Sequence, residues 1–167
     1  MDIEKPTLKQ IEKEIKEFDD AIKFAEENHG DTEIREAIMN KAKFYLEKGH
    51  KEEAKKTYLE AYEKTVGVSS ILEIYMILLK ILFDENDLEK VKKYITKCKA
   101  LLEEGGDWER KNKLKVYEGL YCLITRDFVT AAKLLIDSMS TFSSPELLSF
   151  ERMTFYAVVS GLMTMTR

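Results

Sequence analysis

Residues 45–61 read Tyr-Leu-Glu-Lys-Gly-His-Lys-Glu-Glu-Ala-Lys-Lys-Thr-Tyr-Leu-Glu-Ala. Gly49 stands between two amphipathic stretches, at the point where one helix must end and a second begin, and a residue free to turn left-handed is wanted there. The spacing is Tyr45-x3-Gly49-x4-Ala54-x3-Tyr58-x2-Ala61. In such a frame the small residues let two paired helices approach closely, and the larger ones fill the groove between them. The frame recurs as Leu82-x3-Asn86-x4-Val91-x3-Ile95-x2-Cys98 and as Cys122-x3-Arg126-x4-Ala131-x3-Leu135-x2-Ser138, at offsets of 37 and 40 residues.

Working outward, apolar residues recur at helical spacing along nearly the whole chain, and β alternation is absent. Thr7-Leu8-Lys9-Gln10 opens a first helix with the stripe Leu8, Ile11, Ile15, Phe18, Ile22 and Ala25, ending near Gly30. Asp31 or Thr32 caps a second, which stops at Gly49, and Glu52 to Lys64 form a third. Ser70-Ile71-Leu72-Glu73 is a capping box for a strongly apolar fourth, running to about Asp84. Asn86-Asp87-Leu88-Glu89 starts a fifth that reaches Glu104, Gly105 and Gly106 end it with Gly105 left-handed, and Asp107 caps a sixth. Asp127 starts the seventh, and Ser143-Ser144-Pro145-Glu146 the eighth. Frame and caps together predict an all-α chain, a degenerate tetratricopeptide-like helical-hairpin array or α-solenoid of about eight helices, whose repeats are longer and less regular than the usual 34 residues.

With 167 residues the chain suits one domain spanning 1–167, and a chain of that size buries about 70% of its unfolded surface. Cys98 and Cys122 lie far apart without a Cys-x-x-Cys, so neither a disulfide framework nor a zinc site is expected, and a reducing compartment, cytoplasmic or nuclear, is the default. The longest uncharged run, Met153 to Thr166, is 14 residues, short of the roughly 18 that span a bilayer. The net charge of −4 comes from residues 1–30, with nine acids against five lysines. Only eight of the 58 charged residues fall in 120–167.

Candidate chemical sites do not assemble. The glycine pair lacks the strand and the Gly-x-x-x-x-Gly-Lys-Ser/Thr or Gly-x-Gly-x-x-Gly frame of a phosphate loop. His29 and His50 flank glycines at helix ends with no triad or metal-ligand spacing, and both cysteines fall at inward positions of the repeat. Arg110, Lys111, Lys113 and Lys115 form a basic run near Trp108 and Tyr117, but Asp107, Glu109 and Glu118 dilute it, so no nucleic-acid partner is expected. The acidic first helix reads as a solvated face with i,i+4 pairs. No catalytic residue, cofactor or metal is expected.

Residues 101–122, Leu-Leu-Glu-Glu-Gly-Gly-Asp-Trp-Glu-Arg-Lys-Asn-Lys-Leu-Lys-Val-Tyr-Glu-Gly-Leu-Tyr-Cys, followed by Arg126-Asp127-Phe128-x-x-Ala131-Ala132 and Ser140-Thr141-Phe142, resemble the N-terminal helical-repeat region of the non-ATPase subunit seven family of the 26S proteasome regulatory particle. Glu33-Ile34-Arg35-Glu36-Ala37-Ile38-Met39 and Tyr62-x-Lys64-Thr65-Val66 are similar to the same family, and the resemblance covers about residues 12–165. It implies a lid scaffold without catalytic activity for ubiquitin-dependent degradation, in which a helical array precedes a PCI domain and contacts other lid subunits and the ATPase ring. The chain reaches Arg167 before any PCI region, which implies a fragment of a longer subunit. Gly105, Gly106, Asp107, Trp108, Tyr117, Gly119, Arg126, Asp127 and Phe128 carry the match, and structural roles are expected for them. The first subunit of the signalosome is a paralogous alternative.

A second alternative is an adaptor that holds peptide tails. Counted back from Gly49, Asn86 and Arg126, its clamp positions would be Met39, Lys43, Ile77, Lys113 and Tyr117, of which only the two lysines suit an anionic tail. The C-terminal helix points elsewhere. Twelve of the 19 residues from Leu147 to Met165 are apolar, with Met153, Tyr156, Val159, Leu162 and Met163 on one face and Phe155, Val158 and Met165 extending it. A terminal helix without a polar outer face lacks a cap, so an interface there, or self-association of the isolated chain, is expected.

Overall fold

A computed structural model describes residues 8–105 and 107–164; the expected roles of Thr7, Gly106 and Met165 lie outside these. Among the described residues there are eight α-helices and no strand: α1 (Leu8–Asn28), α2 (Asp31–Glu47), α3 (Lys51–Glu63), α4 (Val68–Asp84), α5 (Leu88–Gly105), α6 (Trp108–Ile124), α7 (Phe128–Ser138) and α8 (Phe150–Thr164), with a 3-10 turn at Met139–Thr141. The chain forms two compact units, one ending at Gly67 and one beginning at Val68.

Each repeat of the frame is a helical hairpin built in the same way. Gly49, Asn86 and Arg126 have φ of +84°, +57° and +66°. The next N–H groups, of His50, Asp87 and Asp127, donate five residues back to the carbonyls of Tyr45, Leu82 and Cys122, at 2.8, 3.1 and 2.8 Å. The left-handed residues donate three residues back, to Leu46, Phe83 and Leu123. This pair of bonds closes the carbonyl end of one helix and aims the chain into the next. The inward positions then follow. Ala54, Val91 and Ala131, then Tyr58, Ile95 and Leu135, then Ala61, Cys98 and Ser138 are all at most 5% exposed.

In the first unit α2 packs against both α1 and α3. The Phe18 and Phe44 rings meet at 5.2 Å, and Lys41 reaches from α2 to Asp19 of α1 at 2.6 Å. In the second unit α4 pairs with α5, α5 packs on α6, α6 pairs with α7, and α8 lies on α7. Leu72, Ile74, Leu79 and Ile81 of α4 are fully buried, each worth about 1.5–3 kcal/mol of transfer free energy.

Three local expectations are corrected. Neither Asp31 nor Thr32 caps α2, because the helix includes both; the extended residue before it is Gly30, which offers no side chain. Ser70 lies inside α4, which starts two residues earlier. Residues 145–147 form a turn closed by the Leu147 and Leu148 N–H groups on the Ser144 carbonyl, and α8 begins at Phe150 with Ser149 Oγ accepting from the Arg152 N–H at 3.3 Å. Gly105 ends α5 with φ +157°, a positive φ that L side chains rarely adopt, in keeping with its expected role as the glycine that closes the helix.

Gly119 is the glycine that packing requires. A Cβ there would stand 2.8 Å from Leu135 Cδ2 and 2.9 Å from its Cγ, and Leu135 is itself buried at the α6–α7 contact. Gly119→Ala is expected to cost about 1–3 kcal/mol, read as a lowered urea midpoint. Adding Leu135→Ala should give a double mutant less damaged than the sum of the single changes.

Candidate interaction surface

Among the described residues no group of three or more His, Cys, Asp or Glu is placed to hold a metal ion. Cys98 and Cys122 are free and buried, and burial pushes their thiols up to about 12 and about 11, away from the thiolate that reactivity needs. The His29 ring lies edge-on to Phe24 at 5.4 Å and His50 edge-on to Tyr45 at 6.3 Å, so both histidines pack at helix ends.

The motif residues separate into distinct roles. Asp107 accepts from the Arg110 N–H at 2.7 Å and also pairs with its guanidinium; the backbone bond is the main reason its carboxyl lies below the usual range. Asp127 caps α7 through the Thr130 N–H at 3.2 Å. Gly119 and Tyr117 are buried, Phe128 is half-buried, and Arg126 is exposed in its left-handed turn. Trp108 is 67% exposed and contributes little to the core.

Tyr117 belongs to a polar group that sequence reading missed. Its hydroxyl donates to Glu146 Oε1 at 2.9 Å, and Lys113 Nζ lies 2.9 Å from the same oxygen. Glu146 sits in the turn after the 3-10 segment, so this contact ties the α7–α8 connection back to α6. Lys113 and Tyr117, i and i+4 on one helix face, were both counted among the peptide-clamp positions. Both are occupied by the chain's own carboxylate. Burial raises the Glu146 carboxyl, but the Lys113 ammonium, its own backbone N–H and the Tyr117 hydroxyl outweigh that and hold it below the usual range. Burial, with Glu146 beside it, raises the Tyr117 hydroxyl.

The C-terminal helix is inside out. Its buried positions are Met153, Ala157, Ser160 and Gly161, three of them small, while Phe155 is 63% and Leu162 76% exposed, and Val158, Val159 and Met163 are exposed with them. Met153, expected on the outer face, is instead fully buried beside Val116, Leu135 and Leu148. Tyr156 is half-buried against that cluster. The open face is therefore Phe155, Val158, Val159, Leu162 and Met163, and no helix of the described residues is long and apolar enough to cross a membrane.

Helical hairpins with buried thiols and an apolar outer face on α8 define a helical-repeat protein. Comparison with known proteins makes this specific: the chain belongs to the family described as 26S proteasome subunit RPN7, which it matches over residues 4–167. It is 44% identical over 158 residues to the 26S proteasome non-ATPase regulatory subunit 6 of Oryza sativa, covering 95% of this chain and 41% of that protein. It is 38% identical over 160 residues to the 26S proteasome regulatory subunit RPN7 of Saccharomyces cerevisiae, covering 95% and 37%. The chain thus spans about two fifths of the length of these relatives.

The Glu146 group has a pH signature. Its folded pKa is depressed, so its contribution is present above the ordinary carboxylate value of 4.5 and is lost as pH falls through the folded value. Glu146→Gln should be less stable than wild type at pH 7 and lose less stability on acidification below 4.5, measured by chemical denaturation across that range. Tyr117→Phe should cost about 1–2 kcal/mol at neutral pH.

Proposed function

We propose that the chain is a non-enzymatic scaffold portion of a regulatory-particle lid subunit, acting in lid assembly for ubiquitin-dependent protein degradation in the cytoplasm and nucleus. It forms one tetratricopeptide-like helical-repeat domain within a longer subunit. Its partners are other lid subunits and the ATPase ring, and it uses no cofactor. The matching-motif residues from Gly105 to Phe128 serve the architecture, and the candidate interface on α8 serves contact.

The observation that carries this reading is the inverted α8. Five large apolar side chains face outward while alanine, serine and glycine face in. An apolar face of this kind is stable only when something covers it. Family membership supplies the setting, since the relatives are named as subunits of a large assembly. The occupied clamp positions Lys113 and Tyr117 weigh against a peptide-tail adaptor.

The test is a yeast strain whose RPN7 subunit has its matching part replaced by residues 4–167 of this chain. The chimera is expected to enter the regulatory particle on native gels. Val159→Glu with Leu162→Glu should reduce the assembled particle several-fold while leaving the helical circular dichroism of the purified chain intact. A folded chimera that stays outside the particle would overturn the scaffold reading. Full assembly of the double glutamate variant would remove α8 from it.

A further inference from the structure

The α6–α7 turn differs from its two counterparts. Aligned on the left-handed residue, the turns read Glu47-Lys48-Gly49-His50-Lys51-Glu52, Asp84-Glu85-Asn86-Asp87-Leu88-Glu89 and Ile124-Thr125-Arg126-Asp127-Phe128-Val129. Glycine adopts this conformation without a steric penalty, and asparagine tolerates it through its short polar side chain. Arginine has neither property, yet Arg126 is held at φ +66°.

Two further differences accompany that strain. Where the first two turns place carboxylates two residues before and three after the left-handed position, the third places Ile124 and Val129, which are 42% and 69% exposed. The Arg126 side chain is exposed and makes no ion pair among the described residues. The one adjacent carboxylate, Asp127, is turned into the start of α7 as its cap. Backbone strain persists where the surroundings or a function hold it in place, and here a glycine would have closed the hairpin equally well.

We propose that this turn is a protein contact in which Arg126 pairs with a carboxylate side chain on the surface of a folded neighbouring subunit, with Ile124 and Val129 sealing apolar surface around the pair. The planar guanidinium binds a carboxylate through two parallel hydrogen bonds, and aliphatic neighbours that exclude water strengthen that pairing. A nucleic-acid backbone would want a stripe of cations, and this turn carries one cation beside one acid. The proposal rests on the scaffold reading above, because the carboxylate belongs to an assembly partner.

The experiment uses the same chimeric regulatory particle. Arg126→Gly should raise the melting temperature of the purified chain, by removing strain, and yet weaken incorporation by roughly tenfold, the loss expected of an interface hot spot. A merely structural role moves both in the same direction. Arg126→Lys keeps the charge and supplies an amine, so treating the assembled particle with a carbodiimide should join it to an aspartate or glutamate of a neighbouring subunit, identified by mass spectrometry. Failure of the unsubstituted chimera to assemble would defeat the scaffold reading itself. If that chimera assembles, but Arg126→Gly incorporates equally well and Arg126→Lys gives no intersubunit cross-link, the turn is not a contact and this proposal alone falls.

Discussion

The three hairpins of the repeated frame, α2–α3, α4–α5 and α6–α7, depend on a single reversal: a residue with positive φ, followed by an N–H that reaches back five residues to the last turn of the preceding helix. That bond consumes a carbonyl left without a helical partner, and the left-handed residue redirects the chain within three positions. The next carbonyl then accepts the first bond of the following helix, from Ala54, Val91 or Ala131. Because these residues are also the most buried of their helices, the turn sets the packing as well as the direction. A shift of one residue in the turn would rotate the second helix by about 100°, and in the first two hairpins it would bring a charged residue to the contact.

This linkage explains why the fold was legible in the sequence. Gly49 alone is an ordinary helix stop, but Gly49, Asn86 and Arg126 at matched positions ahead of Ala54, Val91 and Ala131 locate three reversals and three contact faces at once. Helix ends without that long-range consistency were read less well. Ser70-Ile71-Leu72-Glu73 has the composition of a capping box, yet the apolar pattern extends back to Val68 and the helix follows it. Ser144-Pro145 looks like a helix start, but the chain there is held by Glu146 on Lys113 and Tyr117, residues about 30 positions away. No local pattern encodes a contact of that span.

The surface was partly legible for the same reason. Counting apolar residues in the last helix showed that they exceed one stripe, but not which of them face inward. The structure resolves this through size. Ala157, Ser160 and Gly161 are buried on α8, which packs on α7, where close approach of the backbones replaces the area that larger side chains would bury, and Met153, with Tyr156 half-buried beside it, adds the bulk. Small residues at a helix contact gain van der Waals packing by proximity. The large apolar residues are thereby free to point outward, a choice that would be costly in a helix with nothing to meet.

The distribution of charge completes this division. Pairs such as Lys93–Glu89 and Lys13–Glu17 sit on exposed helix faces, where each contributes about 0.3–0.5 kcal/mol at most, so their main effect is to keep the surface hydrated. They belong to the first 119 residues, which hold 50 of the 58 charged side chains. Beyond that point a partner approaching α8 or the α6–α7 turn displaces few bound waters from ions, and desolvation is the term that most often cancels the gain at a charged interface. Arg126 is exposed in that turn, with the exposed Ile124 and Val129 near it in the chain. A single guanidinium in such surroundings discriminates sharply between a partner that offers a carboxylate and one that does not, because the mismatched complex would bury it unpaired.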